Sequence, residues 1–415
     1  MTTSQPPETP ITPTALFTLA LGLQPPWTVT EIALQLDQNE LHLTLDFPRG
    51  SRWACPQCAR PDCPVHDTET RQWRHLNVFQ YACYVQARQP RVQCPDCGVK
   101  TVAVPWARPG MGFTLLFEAF ALTLMQQMPV RAASEVLGEW DTRRWRVLEH
   151  YVQAARDERS LATVTAVGMD ETAARRGHHY VTLFVDTAQA AVVFATPGKD
   201  ATTVERFAED LAAHGGDPAA VAEVTMDMSP AFIKGVTEQF PEAEITFDKF
   251  HGMKLVGEAV DTVRRQEQKD RPELKGTRYL WLRNPETLRA NSAAQLATLR
   301  AANLKTARAY AIKETLKAFW DQPVEEAEAF LRRGYFWATH SRLEPIRKAA
   351  KTIKAHWAGV LHYVVTRKTN AVLEGINSLV QAAKARARGY RNIHHFITMI
   401  YLLAGKLSLP QLNLA

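Results

Sequence analysis

Two cysteine pairs, each spaced C-x₂-C, constrain the fold of this chain more than any other feature. They are Cys55-Pro-Gln-Cys58 and Cys94-Pro-Asp-Cys97-Gly, with 35 residues between them. Such a pair forms a knuckle that turns two thiolates toward one point, and two knuckles complete a tetrahedral Zn²⁺ site. The text between them, Arg71-Gln-Trp-Arg-His-Leu-Asn-Val-Phe and Tyr81-Ala-Cys-Tyr-Val-Gln-Ala, is strand-like. The expectation is a zinc ribbon with a β-hairpin between its knuckles. Disulfides are the other reading, but they belong to secreted chains. The N-terminus, Met1-Thr-Thr-Ser-Gln-Pro-Pro-Glu-Thr-Pro, lacks the basic and apolar parts of a secretory signal. Cys63 and His66 form a C-x₂-H pair soon after the first knuckle and are able to replace or join its ligands. The preferred set is Cys55, Cys58, Cys94 and Cys97. Cys83 lies in an alternating strand and reads as a core thiol.

The length of 415 residues allows two to four domains. No apolar run approaches the length of a membrane span, and the first residues read as a short disordered lead. The expected location is therefore the cytoplasm. Charge is unevenly spread. Residues Phe250 to Lys406 hold 28 lysines and arginines against 13 acids, a net of +15 in a chain whose total is +6. A basic C-terminal half beside an acidic remainder points to a polyanion surface. A solvated helical surface with scattered charge is the alternative.

After the ribbon, Pro105-Trp-Ala-Arg-Pro-Gly-Met-Gly breaks the chain. Helical apolar spacing follows over Phe113–Gln127, then a short helix from Val130 to near Gly138, then a third from Asp141. A short helix, a glycine turn and a helix opening Thr-Arg-Arg-Trp-Arg have helix-turn-helix layout. Arg143, Arg144 and Arg146 are the groove-facing candidates. A helical connector with surface arginines has the same pattern.

From Val164 the period changes to that of strands. Val164–Asp170, Tyr180–Asp186 and Ala190–Ala195 read as three strands, and Ala201–His214 as a helix. A strand over Ala222–Asp227, a helix from Ser229-Pro230 and a strand over Ala243–Asp248 follow. The order β-β-β-α-β-α-β is the RNase H topology, in which the first and fourth strands are neighbours. Asp170 and Asp227 then lie side by side. Taken singly, Asp170 reads as a turn cap and Asp227 as a helix cap. Glu374 lies in the helical segment Thr369-Asn-Ala-Val-Leu-Glu-Gly-Ile-Asn-Ser. At 100° per residue it shares a polar face with Asn370, Asn377, Gln381, Lys384 and Arg388, opposite Val372, Ile376, Leu379, Val380 and Ala383. Two strand aspartates and one helix glutamate offer the hard oxygens that hold two Mg²⁺ (or Mn²⁺) ions roughly 4 Å apart on a phosphodiester. Lys384, Arg386 and Arg388, with Arg391 beyond, suit a DNA backbone. Between Asp227 and Glu374 stand 146 residues. Most of them read as an all-α insertion whose tryptophans, Trp281, Trp320, Trp337 and Trp357, are core rather than base-stacking.

The expected architecture is multidomain α+β. A lead with the first strands occupies 1–45, a zinc ribbon 46–104 and a helix-turn-helix domain 105–162. An RNase-H-like α/β core occupies 163–250, interrupted by an all-α insertion over 251–357 and completed by 358–415 with the glutamate helix.

These motifs together resemble the DDE transposases of bacterial insertion sequences, specifically the ISL-three family. The matching text is Cys55-x₂-Cys58, Cys94-x₂-Cys97-Gly, Val104-Pro-Trp-Ala-Arg-Pro, Gly168-Met-Asp-Glu and Met226-Asp-Met-Ser, then Phe247-Asp-Lys-Phe-His, Thr369-Asn-Ala-Val-Leu-Glu-Gly-Ile-Asn-Ser and Arg388-Gly-Tyr-Arg-Asn. The resemblance implies that Asp170, Asp227 and Glu374 are the catalytic triad of Mg²⁺-dependent DNA strand cleavage and transfer. It implies that ribbon and helix-turn-helix recognise terminal inverted repeats of double-stranded DNA, and that the working assembly is a homodimer or larger. Asp248 and His251 fit an Asp-x₂-His signature, with His251 either touching the scissile phosphate, orienting an acid or capping the next helix. Ala385-Arg-Ala-Arg-Gly-Tyr departs from the family pattern and bears on specificity. Two rivals remain: a DNA-binding regulator with a silent core, and a structure-specific nuclease of RNase H fold.

Overall fold

In a computed structural model, residues 11–139, 141–367 and 370–410 are described. The lead that reads as disordered lies largely outside them. The chain divides inside a helix, after Tyr151, into two units.

The first unit is built on one six-stranded sheet. Helix α1 (Pro13–Ala20) leads into β1 (Thr28–Gln35), β2 (Glu40–Asp46), β3 (Arg52–Trp53), β4 (Cys63–Arg74), β5 (Ala82–Cys94) and β6 (Gly98–Thr101). The strand order is β1-β2-β5-β4-β3, with β6 added to β5. The expected ribbon hairpin is β4–β5, paired from Val65↔Val92 to Arg74↔Tyr84. The first strands do not stand apart from it, because β2 runs parallel to β5 along Glu40↔Ala82 to Leu45↔Ala87. Inward residues of both halves meet in one aromatic core, where Trp27 packs edge-on to Phe47 at 5.1 Å and to Trp106 at 4.8 Å. Three helices follow: α2 (Leu115–Gln127), α3 (Val130–Leu137) and α4 (Asp141–Asp157). Gly138, at φ 66°, ends α3 in the left-handed conformation that a glycine adopts without strain. A buried ion pair ties the linker to these helices. Glu118, fully buried, accepts from Arg108 Nε at 2.7 Å and from Tyr151 Oη at 2.7 Å.

The second unit carries a five-stranded sheet. Its strands are β7 (Ala166–Arg175), β8 (His179–Asp186), β9 (Ala191–Pro197), β10 (Glu223–Met226) and β11 (Glu244–Phe247), in the order β11-β10-β7-β8-β9. Helix α5 (Ala201–Ala213) precedes β10, and α6 (Pro230–Gln239) precedes β11. The first and fourth strands of this unit are parallel neighbours, with Val167↔Val224 and Gly168↔Thr225 in register. Strand β7 runs on to Arg175, beyond the end expected at Asp170, because β8 pairs with it as far as Arg175↔His179. Its residues alternate in the way a two-faced strand must. Val167 and Met169 enter the core with Phe207 of α5, while Gly168, Asp170 and Thr172 face the other way.

From Lys249 to Thr366 the chain is helical: α7 (Lys249–Glu267), α8 (Arg278–Leu282), α9 (Ala290–Ala301), α10 (Lys305–Phe319), α11 (Val324–His340), α12 (Glu344–Ala355) and α13 (Trp357–Thr366). Trp281 and Trp320 are core, as expected, but Trp337 is 41% exposed. The chain returns to the sheet with α14 (Ala371–Arg386) and α15 (Ile393–Ala404). On α14 the buried stripe is Leu373, Ile376, Val380 and Ala383. Leu379, assigned to that stripe from the sequence, is 43% exposed, and Leu373 takes its place against Gly168. Among the described residues no helix is long and apolar enough to cross a membrane.

Candidate active site and zinc cluster

The two knuckles meet as their spacing requires. Ligand atoms of Cys55, Cys58, Cys94 and Cys97 all lie within 4.8 Å of one another, and Cys58 Sγ is 3.6 Å from Cys94 Sγ. A tetrahedral Zn²⁺ with 2.3 Å bonds sets its sulfurs roughly 3.8 Å apart, so the cage is of the right size. Its acidities show the same need. Backbone N–H groups, of Cys58 first, pull Cys55 down to about 7, whereas the Cys58 thiol beside Cys97 helps push that residue up to about 12. The Cys55 thiolate forms readily while Cys97 resists, a load that a bound cation removes. Arg60 donates to Asp96 at 2.6 Å and ties one knuckle to the other. Cys63 stays outside the cluster, buried, with Sγ 3.6 Å from Arg60 O. His66 turns to Asp67 at 3.3 Å. Cys83 is a core thiol that burial pushes up to about 11.

The acids come together differently. Register between β7 and β10, carried two residues past Gly168↔Thr225, sets Asp227 beside Asp170. Each aspartate ties Oδ1 to a local backbone N–H, Glu171 N at 2.8 Å and Ser229 N at 3.0 Å. Asp170 Oδ2 accepts from Asn377 Nδ2 of α14 at 2.7 Å. Further along, Gln381 Nε2 donates to Thr172 Oγ1 at 2.7 Å and Lys384 to Ala173 O. Helix and strand therefore advance together, one polar contact per helical turn. Glu374, exposed, stands one turn before Asn377 on the same face.

Electrostatics mark these acids as a group. Burial pushes the Asp170 carboxyl up, and the charge of Asp227 adds to it. Burial and Asp227 likewise raise Glu171. Asp248 caps α7, accepting from Phe250 N at 3.3 Å. The capping role is therefore the aspartate's and not the histidine's. His251 Nδ1 lies 3.5 Å from Asp248 Oδ2. Asp248, then Asp227 and Asp170, hold the imidazolium above its ordinary range. Glu171 and Asn377 escaped the sequence reading as site residues. The signals were a second acid next to Asp170 and an amide three residues after Glu374.

Among the described residues the four cysteines are the one group of three or more such ligands drawn within 4.8 Å; Asp170, Asp227 and Glu374 do not close that far. The donor set still fits Mg²⁺, since its ligands are hard carboxylate oxygens and the burial and neighbouring charge that raise Asp170 are what a divalent cation relieves.

The arginines of α4 divide. Arg146 is exposed. Arg143 is half-buried over the Phe113 ring at 4.4 Å, with Glu139 3.1 Å away. Arg144 does not face a groove. It is fully buried, with Cζ 5.5 Å from the Phe113 centroid and 5.7 Å from that of Phe117, and burial pulls it down to about 10. The reason is helical phase. Arg144 shares its face with the buried Val147, Leu148 and Val152.

One chain thus holds a ribbon able to bind zinc, a glycine-turned helix pair and two half-buried aspartates docked beside the Glu374 helix. Residues 167–400 match the ISL3 transposase family model, residues 51–97 the zinc-finger of transposase IS204/IS1001/IS1096/IS1165, and residues 102–152 the helix-turn-helix domain of transposase family ISL3. The chain belongs to this transposase family. It is 29% identical over 365 residues to the transposase for insertion sequence element IS1557 of Mycobacterium tuberculosis, covering 81% of this chain and 82% of that one. To the transposase for insertion sequence element IS1001 of Bordetella parapertussis it is 28% identical over 366 residues, covering 85% and 89%.

Proposed function

We propose that this transposase binds the terminal inverted repeats of its own insertion sequence and cuts and joins DNA strands there. Asp170, Asp227 and Glu374 are its catalytic acids, in an RNase-H-like core interrupted by the all-α segment α7–α13. What carries the reading is the strand register that sets Asp227 beside Asp170, combined with the Asn377–Asp170 bond that docks the Glu374 helix on the same strand. Mg²⁺ or Mn²⁺ bound by these carboxylates supplies Lewis acidity at the attacking and leaving oxygens of the phosphodiester. Within the chain, Asn377 holds Asp170 in place and the His251 imidazolium offsets charge beside the acids. Ribbon zinc is structural. Arg143 and Arg146 on α4, and Lys384, Arg386, Arg388 and Arg391 at the end of α14, contact DNA. The working form is a homodimer or larger on DNA, in the cytoplasm.

The test is cleavage of a duplex carrying the element's own terminal repeat, with Mg²⁺, by wild type and by Glu374→Gln, Asp170→Asn and Asp227→Asn. Wild type is expected to cut at the repeat end, and each variant to lose at least roughly 10³-fold while still binding. Full cutting by any variant sinks the triad. Tight binding without cutting by wild type favours a silent regulator, and preference for junctions over the repeat favours a structure-specific nuclease.

A further inference from the structure

Strand β7 does not end at the acids. It continues to Arg175, turns, and returns at His179. Alongside it α14 runs past Glu374 to Arg386, and the chain then reverses through two left-handed residues, Arg388 at φ 56° and Gly389 at φ 90°. Gly389 N donates to Lys384 O at 2.9 Å, closing the turn. A left-handed arginine costs on the order of 1 kcal/mol, and here the reversal brings Tyr390 O against Arg175 Nε at 3.3 Å.

Two adjoining cavities, of about 530 and 780 Å³, open between these walls. Arg175, Arg176 and His179 line one side; Lys384, Arg388 and Arg391 line the other. Among the described residues no carboxylate lines either cavity. The cations that are engaged donate to main-chain carbonyls, Arg175 to Tyr390 and Lys384 to Ala173. The cavity beside α7 offers a contrast, because its Arg265 and Arg278 are matched by Asp261. A groove that concentrates cations with no internal counter-charge is built for an external polyanion.

Both walls give the same distance from the acids. Five strand residues from Asp170 to Arg175 span roughly 16 Å, and ten helical residues from Glu374 to Lys384 roughly 15 Å. Phosphates of one duplex strand advance about 3.4 Å per nucleotide along the axis. We propose that this groove, with the β7–β8 turn as its second wall, grips the DNA backbone about four to five base pairs from the phosphodiester being cut. The position of the cut rests on the catalytic reading above; the groove's affinity for a DNA backbone does not.

Arg175→Glu/Arg176→Glu alters one wall, and Arg388→Ala/Arg391→Ala the other. Binding to the terminal-repeat duplex is measured across salt concentration, and phosphate contacts are mapped by ethylation interference. Each double variant should flatten the plot of log affinity against log salt by about 2 and erase interference four to five base pairs from the element's end. Arg175→Lys/Arg176→Lys should keep both. Slopes and interference unchanged in both altered walls overturn the proposal, as does interference confined to other positions in wild type. If wild type shows the pattern but never cuts, the catalytic reading falls and the groove stands. If wild type cuts while both altered walls bind as it does, the groove falls together with the DNA contacts proposed for Arg388 and Arg391, and the catalytic acids stand.

Discussion

The cysteine cluster and the acid cluster proposed as the catalytic site both offer ligands suited to divalent cations, yet they are assembled in opposite ways. Each half of the zinc cage is local: three peptide bonds separate Cys55 from Cys58, and the same holds for Cys94 and Cys97. One hairpin brings the halves together, and the ligand atoms already stand within 4.8 Å. Acids of the other cluster come from a central strand, the end of a second strand and a helix far along the chain. Sheet register and one side-chain hydrogen bond align them, and they do not close to the same degree. A closed set of soft thiolates suits an ion that stays, while an open set of oxygens leaves room for substrate. The ribbon's stability should therefore depend on its metal, and the acid site on how α14 docks.

Metal removal separates the two most sharply. A zinc chelator should unfold the ribbon, since structural zinc is worth on the order of 10 kcal/mol at neutral pH. The second unit should keep its own thermal transition. Loss of both transitions together in calorimetry would break the contrast.

A smaller effect is expected from Gly168→Ala. The added Cβ would come 2.3 Å from Leu373 Cδ1, so that buried side chain must shift, and α14 is expected to move with it. Displacing Glu374 by about an ångström should cost roughly 10²-fold in cleavage, while zinc content and terminal-repeat binding stay at the wild-type level. Cleavage within twofold of wild type would mean that docking does not set the acid geometry.

The mildest test is acid. Burial, and then the charge of Arg74, hold His75 down to about 4, against an ordinary value of 6.5. Because the folded pKa is depressed, the unfolded chain takes up the proton first as pH falls. Stability present above about 6.5 is lost between 6.5 and about 4, by about 3 kcal/mol. Urea unfolding of the first unit across this window should show the slope, and His75→Gln should flatten it. A pH-independent midpoint in wild type would argue against a buried neutral imidazole.

What was legible in the sequence follows the same division. The cysteine cage could be read because its ligands sit at fixed local spacing. Strand order in the second unit could be read because each apolar run is bounded by turns or a helix start. Features set by distant packing could not. The β2–β5 pairing joins strands 35 residues apart, from Asp46 to Ala82, with no local mark. Whether Leu373 or Leu379 is buried depends on the strand beneath α14, where Gly168 leaves space for Leu373. Arg144 looked like a surface arginine because charge was weighed before helical phase. Asn377 was placed on the right face, but its bond to Asp170 needed the docked helix to be seen.

Chain order also sets a schedule. During synthesis the ribbon and the helix-turn-helix leave the ribosome first, and Asp227 follows with most of the sheet. The proposed third acid comes 146 residues later, a delay of roughly 7 to 30 s at ordinary elongation rates. For that interval a nascent chain has its DNA-binding parts in hand and no complete set of acids. On the proposed reading, it can find an end before it is able to cut one.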